Sequence, residues 1–381
     1  MTTPDYDAVA VRHYLHRHPE LSLAEYKTTA FIREQLEQIG GIEILETGLE
    51  TGVIAEIRGA TEGPTIALRA DIDGLPILED EGLALRSEND GVMHGCGHDL
   101  HMASLLGAAA ALVRRRDEIA GTIRLIFQPA EENGNGAELV IEEGLLDGVA
   151  AIFGYHNYPG LKPGQIAVGD KMMAGCVRFE VALRASGTHA GYPHKGTGPI
   201  EALSTIVLAL QNIVSRNVSA LEPVVLSVTE IHGGHTWNVI PAEAGFSGTV
   251  RAYSRELEEL VETRFRTLVD SIAQGFGVEA EIVWDHRARP LVNTPEFVDV
   301  IGPRIDDYAA RADYEPSMGG EDFASYLRTT PGLFAFIGSN GQPNAEDWHS
   351  PRFEVVDEAL PTAIDFFVDS AFAALAHYSR A

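Results

Sequence analysis

The chain has 381 residues, 45% hydrophobic and 22% charged, a globular composition that argues against a disordered chain and, at roughly 100–200 residues per domain, points to two domains. Fifty-six acidic against 28 basic residues give a formal net charge of −28, a sign that repels phosphate backbones and anionic membranes and makes nucleic acid a poor partner. MTTPDYDAVAVRHYLHRHPE has no basic segment followed by an apolar run, and no later stretch reads as the ~20 apolar residues of a span. Two cysteines, Cys96 and Cys176, are too few for a disulfide framework, so the expectation is a cytoplasmic protein with no membrane partner.

In chain order, TTAFIREQLEQIG reads as a helix, PTIALRAD as an apolar strand, HMASLLGAAAALVRRR as a helix and GTIRLIF as a strand ending at Gln128. This alternation predicts an α/β layer with a mostly parallel sheet over 1–174. Functional residues of such sheets gather beyond the carboxyl ends of strands, and RADIDGLP, HGCGHD and QPAEE fall at or soon after such ends. The order changes over 175–287: strand VRFEVALRA, helix PIEALSTIVLALQNIV, strands PVVLSVTEI and AGFSGTVRAY, helix RELEELVETRFRTLVDSIAQ and strand EAEIVWDHR. That β-α-β-β-α-β order predicts a ferredoxin-like unit, a four-stranded sheet with two helices on one face, complete enough to be inserted into another domain. The α/β pattern resumes over 288–381.

His94-Gly95-Cys96-Gly97-His98-Asp99-Leu100-His101 is the sharpest cluster. Cys96 and His98 stand two apart just before a helix; in an extended segment they would point the same way and could share one metal region. In Gln128-Pro129-Ala130-Glu131-Glu132 the proline forces an extended turn. Adjacent carboxylates there diverge, so one can bind metal while its neighbour serves as general base. His156 in AIFGYHN and His349 in DWHSP are candidate ligands from distant segments. Each of these residues alone is more often ordinary polar surface or structure. Together Cys96, His98, Glu132, His156 and His349 exceed the four protein ligands of a tetrahedral zinc and better suit two ions some ~3.5–4 Å apart.

In the inserted unit, SGTHAGYPH with His189, GGHTWNVIP with Asn238, and Arg251 on a strand are either turn chemistry or donors for an oxyanion and a substrate carboxylate; the residues alone leave both open. Glu132-Asn133-Gly134-Asn135-Gly136 lacks the spacing of a phosphate loop, and no P-loop lysine or serine nucleophile elbow occurs.

LHRHPELSLAE, RADIDGLPI, MHGCGHDLH, QPAEENGNGA, GYHN, SGTHAGYPH, NVIPAEAGFSGTVR, GGEDFASY and HSPRFEVVDEAL, in that order, resemble the aminoacylase and hippurate hydrolase group of dinuclear metallohydrolases, which includes the plant indole-acetyl-amino-acid hydrolases. The resemblance spans nearly the whole chain. It implies a zinc-peptidase-like α/β catalytic domain interrupted by a lid that pairs two chains. It also implies two divalent ions per chain (zinc, manganese, cobalt or nickel) on Cys96, His98, Glu132, His156 and His349, and Glu131 as general base. By the same resemblance Asp71 orients the site, His189 stabilises the oxyanion, from the partner chain in a homodimer, and Asn238 and Arg251 hold the substrate carboxylate. The implied activity is hydrolysis of N-acyl amino acids. A dipeptidase or carboxypeptidase on the same scaffold is the near rival, and a non-catalytic metal-binding protein the distant one, disfavoured by the intact Glu131. Gly198, His235 and Gly320 depart from the group's pattern and put substrate preference in doubt.

Overall fold

The computed structural model describes residues 6–379, so MTTPD and the last two residues lie outside the described residues. The chain divides into two compact units: Met1–Met172 with Asn293–Glu315 and Asp322–Ala381, and Met173–Val292 with Pro316–Glu321. The borders fall within a few residues of 174/175 but at 292/293 instead of 287/288, and Pro316–Glu321 belongs to the second unit instead of going with 288–381. Hydrogen bonds decide its place. Pro316 O accepts the Tyr253 hydroxyl at 2.5 Å, Ser317 O accepts Ala174 N–H at 2.9 Å and Met318 O accepts from Arg251 Nη1 at 3.3 Å.

The first unit is built on an eight-stranded sheet in the spatial order Glu43–Ile44, Val53–Arg58, Ala120–Gln128, Thr61–Asp71, Val149–Tyr158, Gly332–Gly338, Gln165–Ala167, Ala310–Arg311. The four central strands, from Ala120–Gln128 to Gly332–Gly338, run parallel, whereas Val53–Arg58 and Gln165–Ala167 join their flanks antiparallel. The sheet is therefore mixed, with the expected parallel order in its middle and again at its far edge, where Ala310–Arg311 pairs parallel with Gln165–Ala167. Of those middle strands Gly332–Gly338 is apolar and buried at every position, as expected of a strand covered on both faces.

Helices His98–Arg114 and Leu360–Tyr378 pack against each other and over Thr61–Asp71. Close approach is possible because a side chain at Gly107 would put its Cβ 2.6 Å from Ile364 Cδ1. Against the expectation from sequence, one stretch among the described residues is long and apolar enough to cross a membrane, Asp357–Tyr378. It is a core helix: Leu360, Phe366, Phe367, Ala371 and Ala374 are buried in the unit's main apolar cluster.

The second unit has the four-stranded antiparallel sheet Val224–Gly233, Glu243–Ala252, Gly175–Arg184, Glu279–Ala288. Alternation shows plainly in Gly175–Arg184: Val177, Phe179, Val181 and Leu183 are buried, while Arg178, Ala182 and Arg184 are exposed. The buried row packs with Leu203, Ile206 and Leu210 of helix Pro199–Asn217 and Val261, Phe265 and Val269 of helix Arg255–Gly275. Ser254 caps the latter by accepting Leu257 N–H on its Oγ at 3.3 Å.

Candidate metal centre

Three parallel strands of the first unit deliver polar groups to one edge: Asp71 and Gln128 end their strands and His156 stands near the end of the third, the edge where α/β sheets carry their sites. Cys96 and His98 reach it differently from the extended geometry expected. Cys96 lies in a turn, Gly97 takes the left-handed φ of +79° as N-cap, and His98 is the first helical residue. A side chain at Gly97 would place its Cβ 2.5 Å from Asn157 Nδ2, so the tight turn requires glycine.

The ligand candidates converge. Cys96 Sγ lies 3.3 Å from His349 Nε2, which lies 3.6 Å from Glu132 Oε2; His98 Nε2 is 4.0 Å from Glu132 Oε1. Two triads, Cys96/His98/His156 and Cys96/Glu132/His349, each have their donor atoms within 4.8 Å of one another and share the cysteine. His98 donates through Nδ1 to Asp73 O at 2.9 Å, and His156 through Nδ1 to Asn157 O at 2.8 Å. Each ring therefore offers Nε2 to the centre. His349 adopts a left-handed φ of +64°, a strained conformation for a residue with a Cβ and one that gathers at functional sites.

These donors fit divalent ions: a thiolate, imidazoles and a carboxylate suit zinc or its first-row neighbours. Two of them, His98 Nε2 and Glu132 Oε1, are buried with no hydrogen-bond partner, a costly state unless a cation is the partner. Charge tells the same story. Burial, then the carboxylates of Glu132 and Glu131, push the Cys96 thiol well up, and burial raises Glu132 against the pull of His98. Burial would lower His98, but Asp71, Asp73 and Glu132 outweigh it and raise its pKa to about 10. The acid-rich pocket thus holds a proton where a cation would take its place.

The other two histidines of the cluster are differently engaged. His101 donates to Asp71 Oδ1 at 2.6 Å and accepts Asn157 N–H at 3.0 Å on Nε2, leaving no nitrogen to ligate. His94 is buried without a partner, and burial lowers its pKa to about 4, so it stays neutral. Asp71, fully buried, also accepts Arg69 Nη1 at 2.7 Å. Although burial opposes it, His98 and Arg69 hold its carboxyl well below the usual range. Arg69 continues to Gln128 Oε1 at 2.9 Å and Asp322 Oδ1 at 2.8 Å, and Asp322 N–H points to Glu131 Oε1 at 3.4 Å.

A further buried network fixes the helix Ala8–Arg17 beside the centre. His16 bonds Asp99 Oδ2 at 3.1 Å and Glu79 Oε1 at 3.0 Å, and Arg12 donates to Asp99 Oδ2 at 3.0 Å. Burial works against the charge on His16, but Asp99 and Glu79 raise its pKa to about 9.

The sequence pattern of peptidase family M20/M25/M40 matches residues 67–372. The chain belongs to that family. It is 44% identical over 377 residues to an N-acetyl-L-cysteine deacetylase of Bacillus subtilis, covering 97% of this chain and 89% of that one. It is 37% identical over 363 residues to thermostable carboxypeptidase 2 of Saccharolobus solfataricus, covering 92% and 91%. Among solved structures, it superposes with a TM-score of 0.87 and 41% identity on a Bacillus subtilis dinuclear metal binding peptidase from the M20 family, covering 97% of this chain and 98% of the other.

Within the second unit of this M20 chain, paired strands Thr188–His189 and Val239–Ile240 set His189 opposite Val239, and Asn238 O accepts Ala190 N–H at 3.1 Å. Gly191 N–H donates to His189 Nδ1 at 3.0 Å, which puts the ring proton of neutral His189 on Nε2. Arg251 stands on the separate four-stranded sheet, its Nε donating to Thr249 Oγ1 at 3.2 Å. Gly198 is the N-cap of helix Pro199–Asn217, and a Cβ there would lie 2.5 Å from Ile240 Cγ2. A larger residue at this position would need that side chain to shift. Residues the sequence reading missed are Asp73, Asn157, Arg69 and Asp322; of these, Asp73 had a signal, the second acid of RADIDGLP.

Proposed function

We propose that this M20 chain is a metal-dependent amidohydrolase that splits N-acyl amino acids into a carboxylic acid and a free amino acid. The observation that carries the reading is the pair of donor triads sharing Cys96 with Glu131 next in sequence to the ligand Glu132. Divalent ions held by Cys96, His98, Glu132, His156 and His349 would polarise the scissile carbonyl and make water nucleophilic near neutral pH. Glu131 takes the proton of the attacking water and delivers it to the leaving nitrogen. Asp71 keeps the neighbouring imidazoles oriented through His101. His189, proton on Nε2, donates to the oxyanion, and Asn238 with Arg251 holds the substrate carboxylate.

The deacetylase relative supports an acylated amino acid as substrate, whereas the carboxypeptidase relative favours a peptide on the same machinery. A panel of acetyl, benzoyl and aminoacyl amides of one amino acid, run after metal analysis, decides between them: preference for the simple acyl groups supports the proposal, and preference for the aminoacyl amide refutes it. Zinc, manganese, cobalt and nickel are the candidate ions, and both cysteines being free thiols suits a reducing cytoplasm. The proposal includes a homodimer formed through the second unit, with His189 serving the partner's centre. Supporting it, that unit exposes Ile231 on its edge strand, Leu208 on helix Pro199–Asn217 and Trp237, which is 91% exposed.

A further inference from the structure

LHRHPELSLAE has no part in the chemistry proposed above, yet its Glu25 is completely buried within the first unit. Glu25 Oε2 accepts the Thr51 hydroxyl at 2.8 Å, and Oε1 accepts the peptide N–H of Ala130 at 2.8 Å. The next two peptide donors are captured in turn. Glu131 N–H goes to Asp73 Oδ1 at 3.2 Å and Glu132 N–H to Asp73 Oδ2 at 3.1 Å. Asp73 is buried too, is steadied by the Ser22 hydroxyl at 2.6 Å, and lends its carbonyl to His98 Nδ1. Three consecutive backbone N–H groups therefore end on two buried carboxylates, which itself departs from the usual fate of turn donors, a nearby carbonyl or water.

The backbone at this place is also unusual. Ala130 has φ +55° and Leu23, two residues before Glu25, has φ +63°, a region that residues with a Cβ seldom enter. Among the described residues the third such residue is the ligand candidate His349. A strained turn persists only where its surroundings over-determine it.

We propose that Glu25 and Asp73 are positioning residues that clamp the peptide N–H groups of Ala130, Glu131 and Glu132, so that the general base and its neighbouring ligand are held in place by the protein. This rests on the functional reading of Glu131 and Glu132 given above. What position 25 must provide is an acceptor for one N–H. A glutamine there keeps it, its amide turning to Thr51 Oγ1, whereas alanine leaves the Ala130 N–H buried and unsatisfied and frees the turn to relax. Asp73→Asn has one acceptor oxygen for two peptide donors and strands one of them.

The test compares wild type, Glu25→Gln, Glu25→Ala and Asp73→Asn by cobalt(II) titration with visible absorption, and by kcat and KM on an N-acetyl amino acid. Glu25→Ala and Asp73→Asn are expected to weaken cobalt binding and lower kcat, each about 10–100-fold, with an altered cobalt spectrum and KM changed less than about threefold. Glu25→Gln is expected to stay within about threefold of wild type on every readout. Should Glu25→Ala fail to fold, Asp73→Asn against Glu25→Gln carries the comparison. The clamp is overturned by a wild-type cobalt spectrum and kcat in folded Glu25→Ala or Asp73→Asn, or by a folded Glu25→Gln as impaired as Glu25→Ala. A wild-type chain that binds cobalt but hydrolyses no N-acyl amino acid overturns the substrate reading alone, and the cobalt spectra of the variants then judge the clamp.

Discussion

The candidate residues of the two units differ in how firmly the protein holds them. In the first unit Asp71, Cys96, His98 and His156 are buried, Glu131 and Glu132 half-buried and His349 exposed, and several are restrained more than once: His98 Nδ1 is held by Asp73 O, Asp71 by Arg69 and His101, the Glu131 and Glu132 peptides by Asp73. Those of the second unit are accessible and lightly held. His189 is exposed, with one ring nitrogen engaged by Gly191, and Arg251 is half-buried with its guanidinium on Thr249 and Met318 O. Chemistry that moves protons and grips cations needs fixed geometry before the substrate arrives. Groups that meet a substrate or a second chain are free to complete their contacts on binding.

Four measurements would break or sharpen that contrast. Chelation is expected to have the largest effect, taking hydrolysis to background, with readdition of one divalent ion restoring it; turnover surviving in metal-stripped protein would sink the proposed chemistry. Glu131→Gln is expected to cost about 10²–10⁴-fold in kcat while leaving metal content intact, and Glu132→Gln to reduce metal content instead. Swapped behaviour in the two mutants would reverse their assignment.

For the second unit, His189→Ala and Glu131→Ala chains, each inactive, are expected to regain about a quarter of the sites' activity when dissociated and re-paired in equal amounts, because half the dimers are then mixed and one of their two sites is whole. No recovery, with exchange verified by a label, would confine His189 to its own chain.

The smallest effect concerns stability. His16 has its folded pKa raised to about 9, so its contribution is complete below the unfolded histidine value near 6.5 and is lost as pH rises through about 9. Asp99, held low by His16 and Arg12 against burial, contributes above the unfolded aspartate value near 3.9 and loses that contribution only as pH falls towards its depressed folded value. The pair is thus strongest between about pH 4 and 6.5. Wild type is expected to lose a few degrees of melting temperature between pH 6.5 and 9.5 relative to His16→Gln; parallel curves for the two proteins would refute this.

Periodicity and residue type carried much of the architecture. The apolar runs PTIALRAD and GTIRLIF read as strands and lie in the central sheet, and VRFEVALRA alternates because one face of its sheet is open. Cys96, His98, Glu132, His156 and His349 were legible as candidate donors because a thiol, imidazoles and a carboxylate are the side chains that bind first-row divalent ions, and five of them exceed the needs of one tetrahedral zinc. His98 was singled out of HGCGHDLH, but what sets it apart from the other two imidazoles remained hidden. His94, His98 and His101 are chemically identical in sequence, and their difference arises from neighbours far along the chain: nothing for His94, Asp73 O for His98, Asp71 and Asn157 for His101.

The antiparallel flanks of the first sheet and the allegiance of Pro316–Glu321 were equally hidden, since hydrogen-bond pairing between strands leaves no mark on residue type. The roles of Glu25 and Asp73 belong to the same class. Their partners are peptide N–H groups, one 105 residues away and the others 58 and 59, and a peptide N–H looks the same at every position of a sequence. By itself the sequence determined which side chains could do the chemistry; the tertiary structure alone decided which backbone donors needed an acceptor, because only folding removes the water that would otherwise have satisfied them.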